Sequence, residues 1–145
     1  MISKLRKRGE FILLPFVILL EKLGASPNAV TTLSLVLVVP TCLFVLHGNT
    51  LFALPFLILT GMCDWADGTL ADRTGKKTDF GKFYDSFTDR VIEGGIYASI
   101  ALGYDLVTLS FIALILSYLV SYSAAKSPVE LKELGIGTRG ERYLV

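Results

Sequence analysis

Residues 23–63 read LGASPNAVTTLSLVLVVPTCLFVLHGNTLFALPFLILTGMC, a stretch without a single Asp, Glu, Lys or Arg. A helix needs about 20 predominantly apolar residues to cross the ~30 Å hydrocarbon core of a bilayer, so an uncharged run of about 40 is long enough for two crossings. The run divides at Gly48-Asn49, a turn-forming pair. The first span opens at Ser26-Pro27-Asn28, where Ser26 can cap the helix and Pro27 takes the favoured first position. That span runs to about His47, and the second from about Thr50 to about Leu70. Beyond the polar residues 72–78, a third span extends from about Gly81 to about Gly103. A fourth follows from about Leu106 to Ala125, with Asp105 in the turn between them.

The composition of the whole chain agrees with this reading. Its 145 residues are 52% apolar and 19% charged, with a mean hydropathy of +0.60. A water-soluble domain of this size cannot bury half of its side chains. These figures exclude a disordered chain, a collagen-like repeat and a disulfide-stapled secreted domain. A net charge of +1 argues against a nucleic-acid binder, which would be strongly basic. Cys42 and Cys63 sit in apolar surroundings and read as small hydrophobes rather than a disulfide or metal pair.

The N-terminus carries Lys4, Arg6, Lys7 and Arg8, then the apolar residues 11–20. That run is too short to span, contains Pro15 and is followed by Glu21-Lys22, so residues 1–24 read as an amphipathic helix lying in the membrane interface. With four spans, the N-terminal cluster, Arg73, Lys76, Lys77, Lys82, Lys126, Lys132, Arg139 and Arg142 all fall on one side, while the turns near Asn49 and Tyr104 carry no basic residue. The positive-inside rule makes that side cytoplasmic. The fold class is therefore an all-α, multi-pass bundle in the cytoplasmic membrane.

Within this bundle sit acids that lipid should forbid. Asp64 and Asp67 are i and i+3 at the end of the second span; Asp85 and Asp89 are i and i+4 at the start of the third, with Glu93 one turn deeper. A short loop joins the two helices, which predicts antiparallel neighbours whose acidic faces meet at one depth. Four converging carboxylates repel one another unless a cation or shared protons intervene. Ligation by oxygen alone favours the hard ions Mg²⁺ or Mn²⁺. Two alternatives stay open on spacing alone: a belt of acids paired with Arg73, Lys76, Lys77 and Lys82, or the ion path of a cation-binding or transport protein.

The segment Asp64-Trp-Ala-Asp67-Gly68-Thr-Leu-Ala71-Asp72, eight further residues, then Gly81-Lys-Phe-Tyr-Asp85-Ser-Phe-Thr-Asp89 resembles the signature of the CDP-alcohol phosphotransferases, D-x2-D-G-x2-A-R-x8-G-x3-D-x3-D. Every fixed position but one matches at its spacing. The resemblance implies a six-span membrane enzyme of phospholipid synthesis that transfers a phosphatidyl-type group from a CDP-linked lipid to a polar alcohol and releases CMP. It implies that Asp64, Asp67, Asp85 and Asp89 hold two divalent ions and that Asp89 is also the general base. Asn28, Ala29, Val30, Thr31, Gly68, Thr78 and Gly81 would bind the CDP moiety, and the protein would be a homodimer. The departure is at Asp72, where the family has an Arg; the diphosphate-holding role is then expected to pass to Arg73 or Lys76.

Toward the C-terminus, Lys126, Arg139 and Arg142 are similar to the basic residues with which the inositol-phosphate branch of the family binds the acceptor's phosphate. Glycerol phosphate is the alternative acceptor. Residues 142–145 read as the first turn of a fifth span, so the domain is expected to run from residue 25 to 145 and to be truncated there.

Overall fold

In the computed structural model, residues 13–126 are described; among them are five helices and no strand. Helix α1 covers residues 13–22, α2 Pro27–Leu46, α3 Thr50–Thr74, α4 Asp79–Gly103 and α5 Val107–Lys126. The predicted limits of all four spans agree to within about a turn, with the second span, expected to end at Leu70 or just beyond, reaching Thr74 in α3. Local chemistry sets these limits. Ser26 accepts a hydrogen bond from the Ala29 N–H at 3.2 Å with Pro27 at the first turn. Thr78 caps α4 by accepting from the Gly81 N–H at 2.9 Å. Gly75 ends α3 at φ +66°, a left-handed conformation that favours glycine.

Helix α2 is the spine. α3 runs antiparallel to it, with Thr31 beside Asp67 at one end and Phe44 against Phe52 and Phe56 at the other. α4 runs parallel to it, with the Thr32 and Tyr84 hydroxyls 3.0 Å apart near the start and Gly103 against Val45 and Leu46 at the finish. A Cβ at Gly103 would lie 2.7 Å from the Val45 carbonyl oxygen, so only glycine lets the two backbones close there. α5 packs on the far side of α4. The predicted adjacency of α3 and α4 takes a different form: each packs mainly on α2, and they approach one another where the acids are.

The interior inverts the pattern of a soluble protein. Ser34, Thr41, Thr60, Thr88, Ser99 and Ser110 are buried, whereas Val36, Leu51, Leu109, Phe111 and Val120 are exposed. Small hydroxyl residues let helices approach closely, and apolar side chains lose nothing by facing lipid. α2, α3 and α5 are long and apolar enough to cross a membrane. α4 falls short on hydropathy because it carries Asp79, Lys82, Asp85, Asp89, Arg90 and Glu93. Its 25 residues nonetheless run beside α2 from end to end, the placement expected of the third span.

Helix α1 buries Val17 and Leu20 against Val30, Cys63, Ala66 and Leu70, at the end of the bundle where α2 begins. The Arg73 guanidinium bonds Glu21 at 2.9 and 3.0 Å across the same junction. The basic cluster Lys4–Arg8 of the expected interfacial helix, and everything after Lys126, lie outside the described residues. Cys42 and Cys63 are both free, as their surroundings predicted.

Candidate active site

The acid-bearing helices come together where α3 nears its end and α4 has completed its first turns. Asp64, Asp85 and Asp89 each offer a carboxylate oxygen, and all three lie within 4.8 Å of one another. The three are half-buried, so water screens their repulsion poorly. A triad of hard oxygen donors at this spacing suits a divalent cation of the Mg²⁺ or Mn²⁺ kind. The donor set therefore fits the metal that the motif implies.

Asp67 adjoins this triad and has a second partner. It is 4% exposed, and its Oδ2 accepts from the Thr31 hydroxyl of α2 at 2.5 Å. Three of the four expected acids thus stand together, and the fourth, within electrostatic reach of them, is also held by the spine. The same Thr31 hydroxyl lies 3.1 Å from the Pro27 carbonyl, so it sits at the first turn of α2.

The residues that the motif ties to CDP divide in the same way. Asn28, Thr78 and Gly81 are gathered where the first turns of α2 and α4 meet; a Cβ on Gly81 would lie 3.1 Å from Thr78 Oγ1 and 3.2 Å from Asn28 Oδ1. Two parallel helices therefore present their N-termini side by side, an arrangement that favours anionic groups. A Cβ on Gly68 would meet nothing within 4 Å, so the space beside it is open. Ala29 is exposed, but Val30 is buried in the core beneath α1, which makes it a packing residue. At the departure from the motif, Asp72 forms an ion pair with Lys77, and Arg73 is engaged by Glu21. Neither of these basic residues is paired with the cluster, which disfavours the interfacial-belt alternative for them. Lys126 is exposed at the last turn of α5, while Arg139 and Arg142 lie outside the described residues.

A cavity of about 270 Å³ opens between α3 and α4. Asp64, Asp89, Arg90 and Glu93 line its ionic part, and Leu57, Ile92 and Ile96 its apolar part. Sequence reasoning passes over Arg90, yet it is the most connected polar residue here. Its Nη1 donates to Ser121 Oγ at 2.5 Å and meets Glu93 Oε2 at 2.6 Å, and its Nη2 lies 3.7 Å from Asp89 Oδ2. Ser117 donates to Glu93, and the Tyr118 hydroxyl donates to the Arg90 carbonyl at 2.7 Å. A readable signal existed: Ser117, Tyr118 and Ser121 form a polar stripe at helical spacing on an otherwise apolar span.

Comparison with known proteins agrees with this geometry. Residues 25–136 match the CDP-alcohol phosphatidyltransferase family. The archaetidylinositol phosphate synthase of Pyrococcus horikoshii is 34% identical over 150 residues, covering 100% of this chain and 79% of that protein. The phosphatidylinositol phosphate synthase of Corynebacterium glutamicum is 30% identical over 151 residues, covering 97% of this chain and 69% of that protein. Among solved structures, the apo phosphatidylinositol phosphate synthase of Mycobacterium tuberculosis superposes with a TM-score of 0.60 at 24% identity, over 88% of this chain and 70% of that one. That last likeness is one of fold.

Proposed function

This chain belongs to the CDP-alcohol phosphatidyltransferase family and is an integral membrane transferase; from that premise we propose that it moves a phosphatidyl-type group from a CDP-linked lipid to a hydroxyl of inositol phosphate, releasing CMP. The observation that carries this reading is the meeting of Asp64, Asp85 and Asp89 from two membrane helices, beside a cavity that is ionic at one part and apolar at the other. The inositol phosphate acceptor is supported by the names of the two relatives and by Lys126, with Arg139 and Arg142 expected to complete a basic trio.

Asp64, Asp85 and Asp89, with Asp67 beside them, would hold divalent metal; the family is metal-dependent. Two ions, Mg²⁺ or Mn²⁺, bound there would supply charge neutralisation at the diphosphate and polarise the phosphorus under attack. Asn28, Thr78, Gly81 and the open space at Gly68 receive the CDP moiety at the paired N-termini of α2 and α4. Arg73 can serve the diphosphate only by exchanging Glu21 for it. The Asp89 carboxylate takes the proton of the attacking hydroxyl. One oxygen–phosphorus bond forms as the bond to CMP breaks, and among the described residues no Ser, Cys or His lines the cavity to form a covalent intermediate. The site faces the cytoplasm, on the side of the basic clusters, and the working unit is a homodimer, which cross-linking in native membranes tests.

The test is CMP release by the full chain in lipid bilayers, with CDP-linked lipid and inositol phosphate, glycerol phosphate, inositol or serine offered in parallel. Turnover is expected with inositol phosphate and disappears when EDTA removes the metal. Turnover with glycerol phosphate instead would overturn the acceptor assignment. CDP-lipid-independent cation flux with no CMP release would favour the transport reading.

A further inference from the structure

We propose that Arg90 is a positioning residue: anchored from α5, it holds the carboxylate of Asp89 in the orientation from which it receives the acceptor's proton. This inference rests on the role given to Asp89 above. Arg90 lies eleven residues into α4, at a depth of about 16 Å along the helix. A cation at membrane depth is expensive and is retained mainly where it has a task. Its pairing with Glu93 is no sufficient reason for its presence, because apolar residues of similar volume serve stability as well or better than an ion pair in such surroundings.

What the surroundings do achieve is immobility. Ser121 and Glu93 hold Nη1, and the guanidinium lies over the Tyr118 ring at 5.8 Å from its centroid. Ser117 fixes Glu93 in turn, and the Tyr118 hydroxyl fixes the Arg90 backbone. Four contacts thus run from α5 to one arginine and its partner. The remaining nitrogen, Nη2, stands 3.7 Å from Asp89 Oδ2. At that distance the charge orients the carboxylate while Arg90 itself makes no hydrogen bond to it. A direct grip on a substrate phosphate is the less economical reading, since Glu93 already neutralises the guanidinium and an anion would have to displace it.

The test compares the full chain with R90A, R90K, S121A and D89N in lipid nanodiscs. It reads kcat, KM for each substrate, Mn²⁺ affinity by calorimetry and thermal melting. Residues that orient others in a metal site change activity by about 10–100-fold, so R90A is expected to lower kcat by that factor. Both KM values should stay within about twofold and Mn²⁺ affinity within about threefold, the pattern of an interaction made only in the transition state. R90K should recover most of kcat, because a cation returns beside Asp89. S121A, which touches neither Asp89 nor substrate, should lower kcat about three- to tenfold by loosening one anchor. Wild-type kcat in R90A would overturn the proposal, and so would a loss confined to KM for inositol phosphate, which would make Arg90 an anion ligand. If R90A fails to fold, S121A decides alone, with unchanged kcat as the overturning result. Wild-type turnover by D89N would instead remove the role of Asp89 on which the inference stands.

Discussion

Asp64 and Asp67 stand three residues apart on α3, yet one joins Asp85 and Asp89 while the other bonds Thr31 on α2. Three residues on a helix are separated by about 60° around its axis, so a shared face is wide enough to straddle two neighbours. α2 touches one edge of that face and α4 approaches the other. One acid thereby faces the gap between α3 and α4, and its neighbour is bonded to the spine as well. The pair shows how the same motif can supply both the chemistry and the brace that holds it.

Substitution should separate these roles. The largest effect belongs to D89N, which removes the base. CMP release is expected to fall by about 10³-fold or more, the scale of general base catalysis, and Mn²⁺ binding should weaken as well because Asp89 is also one of the metal donors. D64N and D85N should lower turnover less than D89N does, through the metal alone. Calorimetry with Mn²⁺ is expected to show at least tenfold weaker binding, partly overcome by excess ion in the activity assay.

T31V comes next. A hydrogen bond to a charged group contributes about 1.5–3 kcal/mol, so losing it should reduce kcat/KM by roughly ten- to a hundredfold while Mn²⁺ binding falls less than in D64N. If T31V weakened Mn²⁺ as much as D64N does, the contrast between cluster and brace would fail. G103L offers a control at the opposite end of the bundle. Overpacking against the Val45 carbonyl is expected to destabilise by about 1–3 kcal/mol, seen as a lower melting temperature with Mn²⁺ affinity intact. The smallest change should come from E21A. The Glu21–Arg73 pair is 38–40% exposed, so its loss is worth less than about 1 kcal/mol of stability. The freed Arg73 should lower KM for CDP-lipid slightly.

Most of the fold was legible in the chain. Ser26, Pro27 and Gly48 announce helix ends through their own backbone and side-chain chemistry, so the limits they set needed no tertiary information. α4 was legible by spacing rather than hydropathy, because its charges belong to the site and to the contact with α5. The meeting of Asp64 with Asp85 and Asp89 followed from a short loop and helical period. The direction of Asp67 did not, since it depends on which side of α3 the spine occupies. The expectation that Arg73 or Lys76 holds the diphosphate leaves out Glu21, which is far from Arg73 in sequence and comes close to it only when α1 docks. Arg90 was missed for the same reason. Beside Asp89 it looks like one more interfacial charge, and its meaning comes from Ser121 and Tyr118 on the next helix.

The central claim is that acids from two crossing helices share cations at the place where the nucleotide binds. Anomalous diffraction at the manganese edge, from crystals of the full chain grown with Mn²⁺ and CDP, tests it directly. The account predicts density between α3 and α4 at about 2.0–2.2 Å from oxygens of Asp64, Asp85 and Asp89. Manganese bound elsewhere, with those three carboxylates engaged only by protein groups, would contradict it.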